Sequence, residues 1–203
     1  MVVLSTEVTD ANHQTLTART CTTVHPAAVS VGISRIDRLI RAQETVPLKI
    51  AAIDTEERPF GQALQITATL TREVNSTVKS RTESGVTTTR NDATEETVST
   101  SELTLDPAAS GRDGQPFTVT PKSSGLHFLT LRGSAPQGRP FVTVTSFHVY
   151  GTNDYPWLYE DGLRVKLVAE KKSYQPGETA RVLVLSPIQG TALVTVEREK
   201  VLR

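Results

Sequence analysis

Cysteine is almost missing from this chain. Cys21 stands alone among 203 residues, so no intrachain disulfide can form and a cysteine-rich metal site is excluded. A surplus of charge is missing too. Lysine plus arginine number 22 and aspartate plus glutamate number 22, for a formal charge of zero. Such a chain has no general attraction for nucleic acid or an anionic membrane surface, although a local basic patch remains open. No stretch approaches the roughly 20 apolar residues of a membrane helix. The opening MVVLSTEVTD lacks a basic region ahead of an apolar block, so it does not read as a signal peptide. Neither a nucleic-acid partner nor direct membrane insertion of this segment is expected. Aromatic residues are few, at 5%.

What is there is the periodicity of strands. In ALQITATLT, Leu64, Ile66, Ala68 and Leu70 face one way while Gln65, Thr67, Thr69 and Thr71 face the other. This alternation belongs to a strand with one wet face. VPLKIAAID repeats it with Val46, Leu48, Ile50 and Ala52, and FTVTP places Phe117 and Val119 on one side. LHFLTLRG and FVTVTSFHVY are partly apolar on both faces, which suits strands inside a sandwich or against a neighbour. SRIDRLIRAQE carries Ile36, Leu39 and Ile40 at helical spacing, but it is short and has no firm stop, so a helix is not the expectation there. Turn residues punctuate the chain at DANHQ, ERPFGQ, DPAASGRDGQP, PKSSG and SAPQGRP. The fold class expected is all-β, in tandem immunoglobulin-like or fibronectin-like antiparallel β-sandwiches. The polar stretch from Val74 to Glu102 reads either as a long exposed hairpin or as a loop. Its Asn75-Ser76-Thr77 triplet matches the glycosylation acceptor pattern, which is common by chance.

No catalytic constellation emerges. There is no glycine-x-serine-x-glycine elbow, and Ser124-Gly125 lacks the first glycine. His13, His25, His127 and His148 have no metal-ligand spacing, and His127 and His148 are expected as neighbours on paired strands. Asn153, Asp154, Glu160 and Asp161 share one linker and are the acidic group to check for a cation. No catalytic residue, metal site or cofactor is expected. Tyr155, Trp157 and Tyr159 crowd the same linker; they suit a joint between sandwiches, or a stacking platform for sugar rings.

Near the end of the sequence comes KKSYQPGETARVLVLSP. Pro176 presets φ at the first central position of a turn and Gly177 takes the positive φ of the second, the signature of a type II turn. Tyr174 is placed to cover the end of a sandwich with its ring while its hydroxyl reaches backbone or water. ETARVLVL from Glu178 also matches ETVPLKIA from Glu44, 134 residues earlier. That offset suits tandem domains. The expected layout is 1–28 as the last strands of one domain, 29–151 as a complete domain, 152–162 as a linker, and 163–203 as the first strands of another.

The segment LRVKLVAEKKSYQPGETARVLVLSPIQGTALVTVEREKVL resembles bacterial alpha-2-macroglobulins, in which a lysine-lysine-x-tyrosine-x-proline-glycine-acid turn leads into a strand and a serine-proline corner. STEVTDANHQTLTARTCTTVHPAAVSVGI is similar to a join between two macroglobulin domains of that family. SSGLHFLTLRGSAPQGRPFVTVTSFHVYG looks like the last two strands of one domain, and Trp157 stands where the family carries a tryptophan in its linker. The resemblance covers both ends of the chain and is poorest between Val74 and Glu102. It implies a non-catalytic segment of a broad-spectrum endopeptidase inhibitor, a protease trap of the periplasm or cell envelope. Proteases would be the targets of the full-length protein, and neighbouring macroglobulin domains the direct partners. The family's thioester needs glutamate and glutamine close after its cysteine; Cys21 is followed by Thr22, Thr23 and Val24, so no thioester is expected here. Cys21 reads instead as a strand residue, buried or half-exposed. The alternative is an immunoglobulin-like module of a cell-surface adhesin or polysaccharide-binding protein.

Overall fold

The computed structural model describes residues 1–81, 87–135, 138–151, 165–186, 190–198 and 200–201. The chain opens with an antiparallel hairpin of β1 (Val2–Thr9) and β2 (Thr15–Thr22), which forms a sheet of its own. There follow β3 (Ser30–Ile33), β4 (Leu39–Arg41), β5 (Val46–Ile53), β6 (Leu64–Arg81) and β7 (Thr87–Leu105). A single helical turn, α1 (Pro107–Ser110), and a 3-10 turn (Gly111–Asp113) lead to β8 (Gln115–Val119), β9 (Gly125–Ser134) and β10 (Pro140–Tyr150). A second small hairpin pairs β11 (Lys166–Ala169) with β12 (Val182–Leu185), and β13 (Glu197–Arg198) pairs with β14 (Lys200–Val201).

Strands β3 to β10 make a β-sandwich. One sheet has the order β4-β10-β9-β6-β7 and the other β3-β5-β8. The alternating residues supply the core between them. Leu64, Ile66, Ala68 and Leu70 of β6 meet Leu48, Ile50 and Ala52 of β5, with Leu129, Leu131, Phe147 and Val149 completing one buried cluster. Burial of each large aliphatic side chain is worth about 1.5–3 kcal/mol, so this one cluster is the main stabilising feature. The hydroxyl of Thr143 in β10 also donates to the carbonyl of Val31 in β3, a polar tie between the sheets. The segment Ser34–Glu44 holds the strand β4, which runs parallel to β10 through pairs such as Val149 with Ile40. The helical spacing of Ile36, Leu39 and Ile40 thus yields to sheet pairing: Leu39 and Ile40 are both buried.

The crossing from the larger sheet to the smaller is made by α1. The carboxylate of Asp106 accepts from the amides of Ala108 and Ala109 at 3.1 and 3.2 Å, and Pro107 occupies the first turn where no N–H is needed. Gly114, at φ +76°, then lets the chain pass close to β5, since a Cβ there would lie 2.9 Å from the Ile50 carbonyl oxygen.

The polar stretch is a hairpin. β6 and β7 pair continuously from Leu64 with Leu105 out to Arg81 with Thr87, with one irregularity at Leu70/Thr71. β9 accompanies β6 only as far as Arg72, so the outer part of the hairpin runs on beyond the sheet as two strands. The inner part belongs to the sandwich: Val98 and Leu103 pack against the core.

Candidate functional site

The turn before β12 is the most fully built local feature outside the sandwich. Gly177 has φ +88°, and the Glu178 amide donates to the Gln175 carbonyl at 3.1 Å across Pro176 and Gly177. The Glu178 carboxylate accepts from the Gln175 amide at 3.0 Å and lies 3.4 Å from the ammonium of Lys171. These contacts, led by the backbone bond from Gln175 and then the bond from Lys171, hold the Glu178 carboxyl below the usual glutamate range. The Tyr174 hydroxyl accepts from the Lys171 amide at 3.0 Å and lies 3.5 Å from the Arg181 carbonyl as donor, spanning the loop between β11 and β12.

The same turn occurs earlier in the chain. The Glu44 amide donates to the Arg41 carbonyl at 3.1 Å, and the Glu44 carboxylate accepts from the Arg41 amide at 3.3 Å. Gln43 has φ +68° where the later turn has Gly177. The strands on either side repeat as well. In the sandwich Gly32 pairs with Ala51 and Ile33 with Ile50; 134 residues later in both members, Lys166 pairs with Leu185 and Leu167 with Val184. The β3–β5 pair of the sandwich thus has a second copy in β11 and β12, with identical register.

The opening hairpin matches the other end of the sandwich. Val2 pairs with Thr22 and Thr9 with Thr15; 125 residues later, His127 pairs with Phe147 and Ser134 with Pro140. The turns agree too, the His13 amide bonding to the Asp10 carbonyl at 3.1 Å and the Gly138 amide to the Ala135 carbonyl at 2.9 Å. β1–β2 therefore has the register of β9–β10. Sequence reasoning found the first repeat through its Glu-Thr pair and missed the second, which shares register and loop length but little sequence.

His127 and His148 lie on adjacent strands, but they do not meet. His127 pairs with Phe147 and His148 with Leu126, so the two imidazoles point to opposite faces of the sheet. His127 stacks on Phe147 in the core, with centroids 5.8 Å apart and planes inclined by 10°, and its Nδ1 lies 3.2 Å from the Gly125 carbonyl oxygen. His148 is held at about 4, chiefly by burial and then by the charges of Lys166 and Arg38. Cys21 is exposed on β2 rather than buried. Its strand belongs to a two-stranded sheet, whose faces nothing else in the described residues covers. Tyr155, Trp157 and Tyr159, together with Asn153, Asp154, Glu160 and Asp161, lie outside the described residues. Among the described residues no group of three or more histidine, cysteine or acidic side chains is placed to hold a metal ion. A cleft of about 190 Å³ beside β4 is lined by Arg35, Asp37 and Glu44 together with the apolar Ile36, Leu39, Ile40 and Val46. No helix of the described residues is long and apolar enough to cross a membrane.

No protein-family model matches the sequence, and no curated protein matches it. Solved structures do. The chain is similar to Salmonella alpha-2-macroglobulin reacted with methylamine, at 16% identity over 92% of this chain and 12% of that one, with a TM-score of 0.49. It is similar also to the native conformation of E. coli alpha-2-macroglobulin, at 16% identity over 99% of this chain and 13% of that one, with a TM-score of 0.48. The chain spans about an eighth of the length of either protein.

Proposed function

We propose that the chain is a non-catalytic structural stretch of a bacterial alpha-2-macroglobulin-like endopeptidase inhibitor. In this reading residues 29–151 are one complete macroglobulin domain, 1–28 end the domain before it, and 163–203 begin the next. The linker 152–162 carries Tyr155, Trp157 and Tyr159 as packing for the joint. The observation that carries the reading is the double repeat: β11–β12 copies the register of β3–β5, and β1–β2 copies that of β9–β10. Tandem sandwiches produce such a pattern, since each domain starts and finishes with the same hairpins. The sequence of the Lys171–Pro187 turn, strand and corner supports the choice of family. The work of such a stretch is mechanical. Stiff sandwiches hold the protease-sensitive and reactive parts of the whole protein in place and pass on its rearrangement. Its partners are neighbouring domains directly and proteases only through the full-length protein, in the periplasm or at the cell envelope.

Limited proteolysis of the full-length parent with several proteases, followed by mass spectrometry of the cut sites, tests this. Cuts gathered downstream of Arg203, with a change in hydrodynamic size, are expected. Cuts confined to 74–102 with the same size change would place the bait inside this stretch. No preferred cut and no size change would leave an adhesin module as the better account.

A further inference from the structure

Three of the four edge strands of the sandwich are short. β3, β4 and β8 run for 4, 3 and 5 residues, and β8 carries Pro116. β7 is the exception: it ends the larger sheet and runs for 19 residues from Thr87 to Leu105, without a proline or a glycine. Among the described residues no strand pairs with its outer side. Its unpaired N–H and C=O groups form a template for one more strand, which is why long, open edges are uncommon. Among the described strands the two sheets of the sandwich are built from β3 to β10, so the topology of the sandwich itself leaves this edge open.

The edge is also acidic. Over 93–105 it carries Glu95, Glu96 and Glu102 and no lysine or arginine. Glu95 and Glu102 pair with Glu73 and Thr67 of β6, which are six residues apart, so both glutamates lie on one face of the sheet. A threonine of β6 holds each of them. The Thr71 hydroxyl donates to Glu95 at 3.0 Å, and the Thr67 hydroxyl donates to Glu102 at 2.9 Å. Both residues are nonetheless exposed. Glu96 lies on the other face, opposite Arg72, and Arg132 is set back on β9, across β6 from Glu102. The edge thus presents two positioned carboxylates about 20 Å apart along the ladder.

We infer that β7 is a docking edge for a basic extended segment of another protein, which adds to the larger sheet as a further strand. Main-chain bonds along the edge supply the pairing, and lysine or arginine side chains six residues apart on the incoming strand meet Glu95 and Glu102. A second copy of β7 is a poor occupant, because over 93–105 it brings three more glutamates and no cation.

Fluorescence anisotropy of labelled peptides with the 203-residue chain tests it. The probe is a short threonine–valine peptide carrying two lysines six positions apart. Saturable binding is expected, weakening as salt rises because the charges are exposed. Glutamate in place of both lysines should weaken binding roughly tenfold or more, and so should Glu95→Gln together with Glu102→Gln in the protein. An unchanged circular-dichroism spectrum shows that this double variant keeps its sheets. N-methylation of alternate peptide amides, which keeps the charge and removes the edge donors, should abolish binding. Exchange of the β7 amides should slow in the complex with the unmodified peptide. No binding of the lysine peptide, equal binding of the glutamate peptide, or binding that survives N-methylation on either set of alternate amides would each overturn the inference.

Discussion

The carboxylate of Glu178 caps the amide of Gln175 at 3.0 Å, closing a turn that Glu44 closes on Arg41 in the earlier copy. A carboxylate that accepts such a bond is stabilised in its charged form, and the Glu178 carboxyl is accordingly held below its ordinary range, first by Gln175 and next by Lys171. The folded state therefore binds a proton less readily than the unfolded one. The stabilisation is complete above the unfolded carboxyl range and is lost as pH falls through the lowered folded value. Hydrogen-exchange protection of the β12 amides should weaken on acidification in the wild type. In Glu178→Gln the same protection should start lower and change less with pH; equal profiles for the two chains would remove the carboxylate from the turn's account.

Gly177 stands at φ +88° with no atom within 4 Å of where a Cβ would project. Space is therefore no obstacle, and a substitution meets only the backbone strain of the left-handed region. Gly177→Val should destabilise the β11–β12 hairpin by about 1–2 kcal/mol, read as faster exchange of the amides in β12. Gln43 holds φ +68° in the equivalent turn with a side chain in place. Gln43→Gly should shift stability by less than about 1 kcal/mol, because relief of strain and the added freedom of the unfolded chain oppose each other. An unchanged exchange rate in Gly177→Val would show that the turn does not constrain the hairpin.

Much of the sandwich was legible because its strands alternate cleanly. Leu64, Ile66, Ala68 and Leu70, then Leu48, Ile50 and Ala52, appear in the core as the period-two pattern places them. The type II turn was legible for a local reason: Pro176 and Gly177 fix their own dihedrals. What could not be read was long-range register. Nothing in the sequence near His127 says that it faces Phe147 rather than His148, because one residue of slip turns a side chain to the other face of the sheet. The kinship of β1–β2 with β9–β10 was hidden similarly, since beyond Leu4 with Leu129 the matched positions, such as Leu16 with Phe141, share little but apolar character. Cys21 came out exposed because burial depends on a second layer, and β2 lies in a sheet of two strands.

His148 gives the fold a dependence on mildly acid pH. Burial, with Lys166 and Arg38 adding positive charge nearby, lowers its value from 6.5 to about 4. Above the unfolded value both states are neutral and nothing is gained or lost. As pH falls from 6.5 toward 4 the unfolded chain takes up a proton that the fold resists, so stability declines, and it levels off once both states are protonated. The loss should amount to about 1–2 kcal/mol, allowing for the water that still reaches the ring. Urea unfolding followed stepwise from about pH 7 to about pH 4 should show this slope in the wild type and a shallower one in His148→Leu. Parallel profiles would mean that the ring is wet enough to titrate normally.

The outer part of the β6–β7 hairpin should be dispensable to the sandwich. Past Arg72 it pairs with no third strand among the described residues, whereas Val98 and Leu103 sit against the core and must stay. Val74 faces Thr94 across the hairpin, so an Asn-Gly turn in place of residues 75–93 keeps every inner pair in register. The shortened chain should retain its β circular-dichroism signal and melt within about 5 °C of the wild type, a difference of about 1 kcal/mol or less for a domain of this size. A larger drop, or loss of the β signal, would mean that the arm supports the sheet through contacts beyond its own two strands. Deleting the whole of 74–102 is a different experiment: it removes Val98 and the paired threonines near it, and the sandwich should lose stability because part of its core is gone.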